Sequence, residues 1–421
     1  MSKKRTIDAY FSIPQAKKPR GSNSLDDEPT APVNTPISFF IHLRTRNCTI
    51  PYEFEKTLLD FQKQRGEANE QGKTTIGSQI TSNINTPNPI TATDSSPTSH
   101  SIHASYPFPI PHLPDALNIE IAGSPCPARA ITDQPDLDLL YFEPYISRTA
   151  ARQLFEFLRS ELPFYRVEYD IARGGTKTHI RTPRWTSVFG VDQTVCFKAD
   201  PPSASGSISD PQCLTERVVD AHSGKPVSVG HVNTPQTLGQ GKQAGYKATP
   251  RPIPQCLDVL RRSTEAATGC QFNFCLVNYY ASGADSISFH SDDERFLGPL
   301  PAIASFSLGA RRDFLMKHKP PKSGSGDTNS NGTSKGSLKL LLGSGDMVLM
   351  RGTTQANWLH SIPKRSGRNE RDGGRINITF RRALVRGGTE NYYQYNVGSG
   401  PVYKWDTAGQ EMKPWIQASK S

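Results

Sequence analysis

The sequence predicts a mainly β protein, a sandwich or barrel of short strands with flanking helices, behind a long N-terminal segment that builds no core. After Gly269, short apolar runs recur at close intervals with turn residues between them, the pattern of an all-β sandwich or barrel. Before Gly269, two stretches repeat apolar residues at helical spacing. The 33 Gly and 34 Pro among 421 residues are more backbone punctuation than one compact domain uses, so one larger domain with loose tails and insertions is expected.

The elements follow in chain order. Residues 1–20 hold six basic residues and one acidic residue. Thr81 to Pro114 carries seven prolines and a single charge, Asp94, amid Ser, Thr and Asn. Such a stretch buries too little apolar surface to offset its ordering entropy, so residues 21–135 are expected to be a disordered linker and order to begin near Asp136. Ser147 is placed to cap a helix carrying Ala150, Ala151, Leu154, Phe155, Leu158 and Leu162, which Pro163 stops. A second helix runs from Pro254 through Leu257, Leu260 and Ala267 to Gly269 as its cap. Residues 201–245 and 322–337 are Gly/Ser-rich insertions. Strands are predicted at 272–280, 286–290, 302–309, 313–318, 338–342, 346–350, 357–362 and 375–381. An aromatic tail, 383–421, is expected to pack onto the sandwich.

Composition excludes some classes. No apolar run approaches the ~18 residues of a membrane span, and the N-terminus has no secretory apolar region. Seven scattered cysteines without a CxxC pair argue against a disulfide framework and a zinc finger. A formal charge of +10 points weakly toward nucleic acid, because half of it sits in the first 20 residues.

Chemistry emerges when the strands are read face by face, since strand side chains alternate. In Arg375-Ile-Asn-Ile-Thr-Phe-Arg381 the apolar residues share one face, and Arg375, Asn377, Thr379 and Arg381 the other. Asn278 and Tyr280 pair in the same way. His290 and Asp292 stand two apart, and His360 lies on another predicted strand. A His-x-Asp pair recurs by chance in many proteins. With a second His, however, it forms the two-His, one-carboxylate set that holds non-haem Fe(II) on one face and leaves the other open. A zinc hydrolase can use the same ligands but has no special need of paired arginines, whereas a guanidinium suits a 2-oxo acid carboxylate.

The runs Asn273–Tyr280, His290-Ser-Asp-Asp-Glu294, Ala302–Ala310, Arg312-Asp-Phe314, His360-Ser-Ile-Pro363 and Arg375–Arg381 together resemble the AlkB family, and within it the eukaryotic branch that repairs alkylated DNA. The resemblance covers about Asp136 to Arg382 and implies a double-stranded β-helix (jelly roll). It implies His290, Asp292 and His360 as Fe(II) ligands, and Arg375 and Arg381 on 2-oxoglutarate with Asn278, Tyr280 and Thr379 beside them. Arg381 would take the distal carboxylate. Glu294 would help read a flipped base, Pro183-Arg184 would belong to a nucleotide-recognition lid, and Phe197 would offer a stacking face. The implied reaction is oxidative demethylation of 1-methyladenine or 3-methylcytosine in DNA, releasing formaldehyde, succinate and CO2. The sequence departs from the family at one place. Members acting on duplex DNA carry a bulky apolar wedge before the Pro-Arg motif, and Arg173-Gly-Gly-Thr-Lys177 has none, so duplex preference does not follow.

Lys4-Arg-Thr-Ile-Asp-Ala-Tyr-Phe11 has the spacing of a sliding-clamp (PCNA) box, with Lys4 where Gln is usual and Ile7, Tyr10 and Phe11 as the apolar plug. Lys17-Lys-Pro-Arg20 reads as a nuclear-import signal or a solvated charge run. A nuclear, monomeric DNA-repair dioxygenase is expected. The same chemistry on RNA or protein, and a non-catalytic clamp-tethered DNA-binding module, remain as alternatives.

Overall fold

The structure, a computed structural model, describes residues 99–173, 176–199, 216–229, 246–320, 336–365 and 373–416. The clamp-like residues Lys4, Ile7, Tyr10 and Phe11 lie outside it, as do most of the linker, the two flanks of the first insertion (201–215 and 230–245) and most of the second.

Two antiparallel sheets position the site. The larger contains β1 (Arg129–Ile131), β2 (Leu139–Phe142), β3 (Trp185–Gly190), β4 (Phe274–Tyr280), β6 (Ile303–Gly309), β9 (Asp346–Met350) and β11 (Arg375–Arg381). Its order is β1-β2-β9-β6-β11-β4-β3. The smaller contains β5 (Ile287–His290), β7 (Arg312–His318), β8 (Ser337–Leu342) and β10 (Trp358–Ile362). Its order is β5-β10-β7-β8. From β4 to β11 the chain passes back and forth between the two sheets, as in a jelly roll.

Alternation decides what each face of the large sheet does. Cys275, Val277, Tyr279, Ile376, Ile378 and Phe380 point outward into one core, under helices α1 (Asp115–Ala122), α2 (Arg148–Glu161) and α3 (Gln255–Thr268). The polar partners on the same strands point inward, toward the small sheet. Ser147 Oγ accepts from Ala150 N at 3.1 Å at the start of α2, and Gly269 ends α3 in the left-handed region at φ 69°. Gly190, at φ 98°, closes β3 where an added Cβ would stand 2.2 Å from Asn273 O. No helix among the described residues is long and apolar enough to cross a membrane.

The predicted strands after Gly269 all form, with ends moved by a residue or two. Two expectations need correction. Order does not begin near Asp136, because residues 99–135 include α1 and β1, and Tyr106, Ile110, Leu113, Leu117 and Ile121 are buried in the core beside α3. Their spacing serves tertiary packing, which composition alone does not register. The insertion is also structured in part: Glu216–Asp220 pairs with Val195–Ala199.

Candidate active site

The inner faces of the two sheets enclose a cavity of about 260 Å³. His290 and His360 are direct cross-strand partners on β5 and β10, with ring centroids 4.2 Å apart. Asp292 completes the group, and one ligand atom from each residue lies within 4.8 Å of the others. A bulge aims His290. Between the pairs Ile287–Ile362 and His290–His360, β5 spends one residue more than β10, so Ile287 and His290 both reach the cavity while Phe289 is exposed.

Protonation suits a divalent cation. Burial lowers the pKa of both imidazoles, and at His360, with His290 alongside, it falls to about 3. His290 Nδ1 donates to Ser288 O at 2.8 Å, which makes Nε2 the basic nitrogen. Burial opposes the charge on Asp292, but Arg381, His360 and His290 outweigh it and hold the carboxyl at about 2. The backbone N–H of Asp292 donates to Gln355 Oε1 at 2.9 Å, fixing the ligand from the loop side. Two neutral imidazoles and one carboxylate are the donor set Fe(II) takes in a facial triad.

The two arginines of β11 have different stations. Arg381 donates through Nη2 to Asp292 Oδ2 and through Nη1 to Thr379 Oγ1, both at 2.9 Å, so it stands at the metal end. Arg375 lies six residues away, roughly 20 Å along the strand. It is buried, with Nη2 on Ser307 Oγ at 2.8 Å, while Nε and Nη1 meet no protein acceptor. Burial, with Arg312 nearby, pulls its pKa down to about 10, a cationic site short of an anion. The expectation that Arg381 takes a distal carboxylate is therefore corrected: its two terminal nitrogens are engaged by Thr379 and Asp292 and only Nε is unmet, whereas Arg375 leaves both Nε and Nη1 unmet.

Most of the other expected residues also line the cavity. Asn278 Oδ1 accepts from Arg184 Nε at 2.9 Å, Tyr280 lies 5.4 Å from Arg375 Cζ, and Asn377 is held by Ser305 Oγ at 2.9 Å. Pro183 and Glu294 line it as well. Phe197 does not. It packs edge-on to His103 at 5.3 Å, in a separate cluster around Val195, Val218 and Tyr246, so its expected stacking role is corrected. Sequence reasoning missed Gln355 and the tail residues Tyr392, Tyr395 and Asn396, which line or brace the cavity. The density of tyrosines in the tail was the available signal.

The family model described as the 2OG-Fe(II) oxygenase superfamily matches residues 197–381. The chain is 38% identical over 154 residues to DNA oxidative demethylase ALKBH2 of Arabidopsis thaliana, covering 34% of this chain and 48% of that protein. It is 42% identical over 138 residues to alpha-ketoglutarate-dependent dioxygenase alkB homolog 3 of Rattus norvegicus, covering 32% and 44%. Against DNA oxidative demethylase ALKBH2 of Homo sapiens it is 37% identical over 142 residues, covering 34% and 51%. The chain thus spans about half the length of the curated relatives it matches.

Proposed function

Because the chain belongs to the AlkB family of Fe(II)- and 2-oxoglutarate-dependent oxygenases, we propose that it repairs DNA by oxidative demethylation of N-alkylated bases. The observation that carries this reading is one cavity holding His290, Asp292 and His360 at one end and the unmet donors of Arg375 at the other. His290, Asp292 and His360 would hold Fe(II), and Arg375, with Tyr280 beside it, would clamp the distal carboxylate of 2-oxoglutarate. Bound there, the pair supplies oxidation of an N-alkyl carbon by O2, giving succinate, CO2 and an aldehyde.

The chain's own residues bind, orient and exclude water. Arg381 keeps Asp292 ionised and fixed in direction. Glu294 stands beside the cavity, where a base taken out of its stack would present its polar edge. Arg184, buried and held by Asn278, supports the same wall.

The substrates are 1-methyladenine and 3-methylcytosine, in single strands more than in duplexes, because no apolar wedge stands in the Arg173–Lys177 stretch. Formaldehyde release from a panel of methylated single-stranded, duplex and RNA oligonucleotides tests this. Turnover confined to RNA would move the reading to an RNA demethylase, and no turnover on any would refute it. Residues 1–20 are read as a nuclear tether to the sliding clamp, and a peptide of those residues that shows no clamp binding by calorimetry would remove that part.

A further inference from the structure

The family match ends at residue 381, yet the helix Glu390–Asn396 beyond it forms part of the cavity wall through Tyr392, Tyr395 and Asn396. The helix is tied to the large sheet. Tyr393 Oη donates to Gly190 O at 2.8 Å and accepts from Arg251 N at 2.9 Å, and Thr186 donates its hydroxyl to Asn396 O. Tyr392 is buried, its ring edge-on to Phe274 at 5.1 Å and Phe296 at 5.9 Å, with the Arg381 guanidinium 5.4 Å away. A ring held on those sides cannot swing, so packing sets the direction of its hydroxyl.

That hydroxyl donates to Glu294 Oε1 at 2.7 Å. Glu294 Oε2 is buried and has no protein partner, although its side chain lines the cavity. A buried acceptor left unmet is costly, and a ligand N–H would satisfy it.

We propose that Tyr392 is a positioning residue for base selection. It occupies Glu294 Oε1 and turns Oε2 to accept an N–H from the exocyclic amine of the bound base. Alkylated adenine and cytosine, which carry that amine, are then selected over alkylated thymine, which presents a carbonyl. The inference deepens the demethylase reading and rests on it. A site built to pair a substrate donor discriminates strongly against an analogue that lacks it.

The test compares kcat/KM on single-stranded oligonucleotides carrying 3-methylcytosine or 3-methylthymine, for the full chain and for Tyr392→Phe. The variant keeps the ring and its packing and loses only the hydroxyl. The expected result is a roughly tenfold fall in the cytosine-to-thymine ratio, as for one charge-assisted hydrogen bond lost. In a Glu294→Gln background, adding Tyr392→Phe should shift the ratio by less than about twofold, because the two residues act as one unit. An unchanged ratio, or equal loss on both lesions, would overturn the inference while leaving the demethylase reading intact. A wild-type chain inactive on both lesions and on 1-methyladenine would refute that reading and this inference with it.

Discussion

Arg381 Nη2 lies 2.9 Å from Asp292 Oδ2, with side chains only 3% and 4% exposed, so a candidate metal ligand is held by a buried ion pair. Removing one member of such a pair leaves a desolvated charge, whereas removing both is close to neutral. In chelator-treated protein, Arg381→Met should lose about 3 kcal/mol of unfolding free energy in urea. The double variant Arg381→Met/Asp292→Leu should recover most of it. A single variant as stable as the wild type would show that the pair contributes nothing to the fold.

Under the proposed function, Arg375 serves the cosubstrate rather than the metal. Arg375→Ala should raise the KM for 2-oxoglutarate by roughly a hundredfold, the loss of a bidentate charge-assisted contact, with a smaller effect on kcat at saturation. Succinate release titrated against 2-oxoglutarate reads this directly. An unchanged KM would remove Arg375 from the carboxylate site.

Metal binding should register in stability as well as turnover. Fe(II) supplied anaerobically at a hundred times its dissociation constant should stabilise the folded chain by about 2.7 kcal/mol. His360→Ala and Asp292→Ala should abolish both that shift and formaldehyde release. A shift that survives in either variant would place the metal elsewhere.

The β framework and the triad were legible because each depends on local pattern. Alternation along Arg375–Arg381 sorted core from cavity, and His290 and Asp292 were close in sequence before they were close in space. The separate stations of Arg375 and Arg381 were not legible, since both occupy the same strand face and only the position of Asp292 tells them apart. Phe197 looked like a stacking residue until the pairing of Val195–Ala199 with Glu216–Asp220 drew it into another cluster. Tyr392 was hidden for the converse reason, a contact made across 98 positions of sequence. The helix at Asp115–Ala122 was missed because its order comes from burial against α3, in a stretch whose composition reads as unstructured.

Gly190 offers a test of the frame behind the site. Gly190→Ala combines a positive φ with a Cβ 2.2 Å from Asn273 O, and should cost at least ~2 kcal/mol by urea denaturation. Gly224→Ala, at φ 66° with nothing within 4 Å, meets the backbone penalty alone and should cost about 1 kcal/mol. Equal effects would show that close approach of the chains at β3 is not limiting.

The bulge in β5 has a further consequence. Strand faces are a matter of parity, and the extra residue between Ile287 and His290 reverses that parity once, just before the first candidate ligand. A regular strand over the same residues would put Ile287 and His290 on opposite faces, carrying Phe289 inward and turning His290 out to solvent with every candidate ligand still encoded. The candidate metal site is thus written partly in residue identity and partly in one irregularity of the backbone, and a search of related chains for intact ligand residues alone would not register its loss.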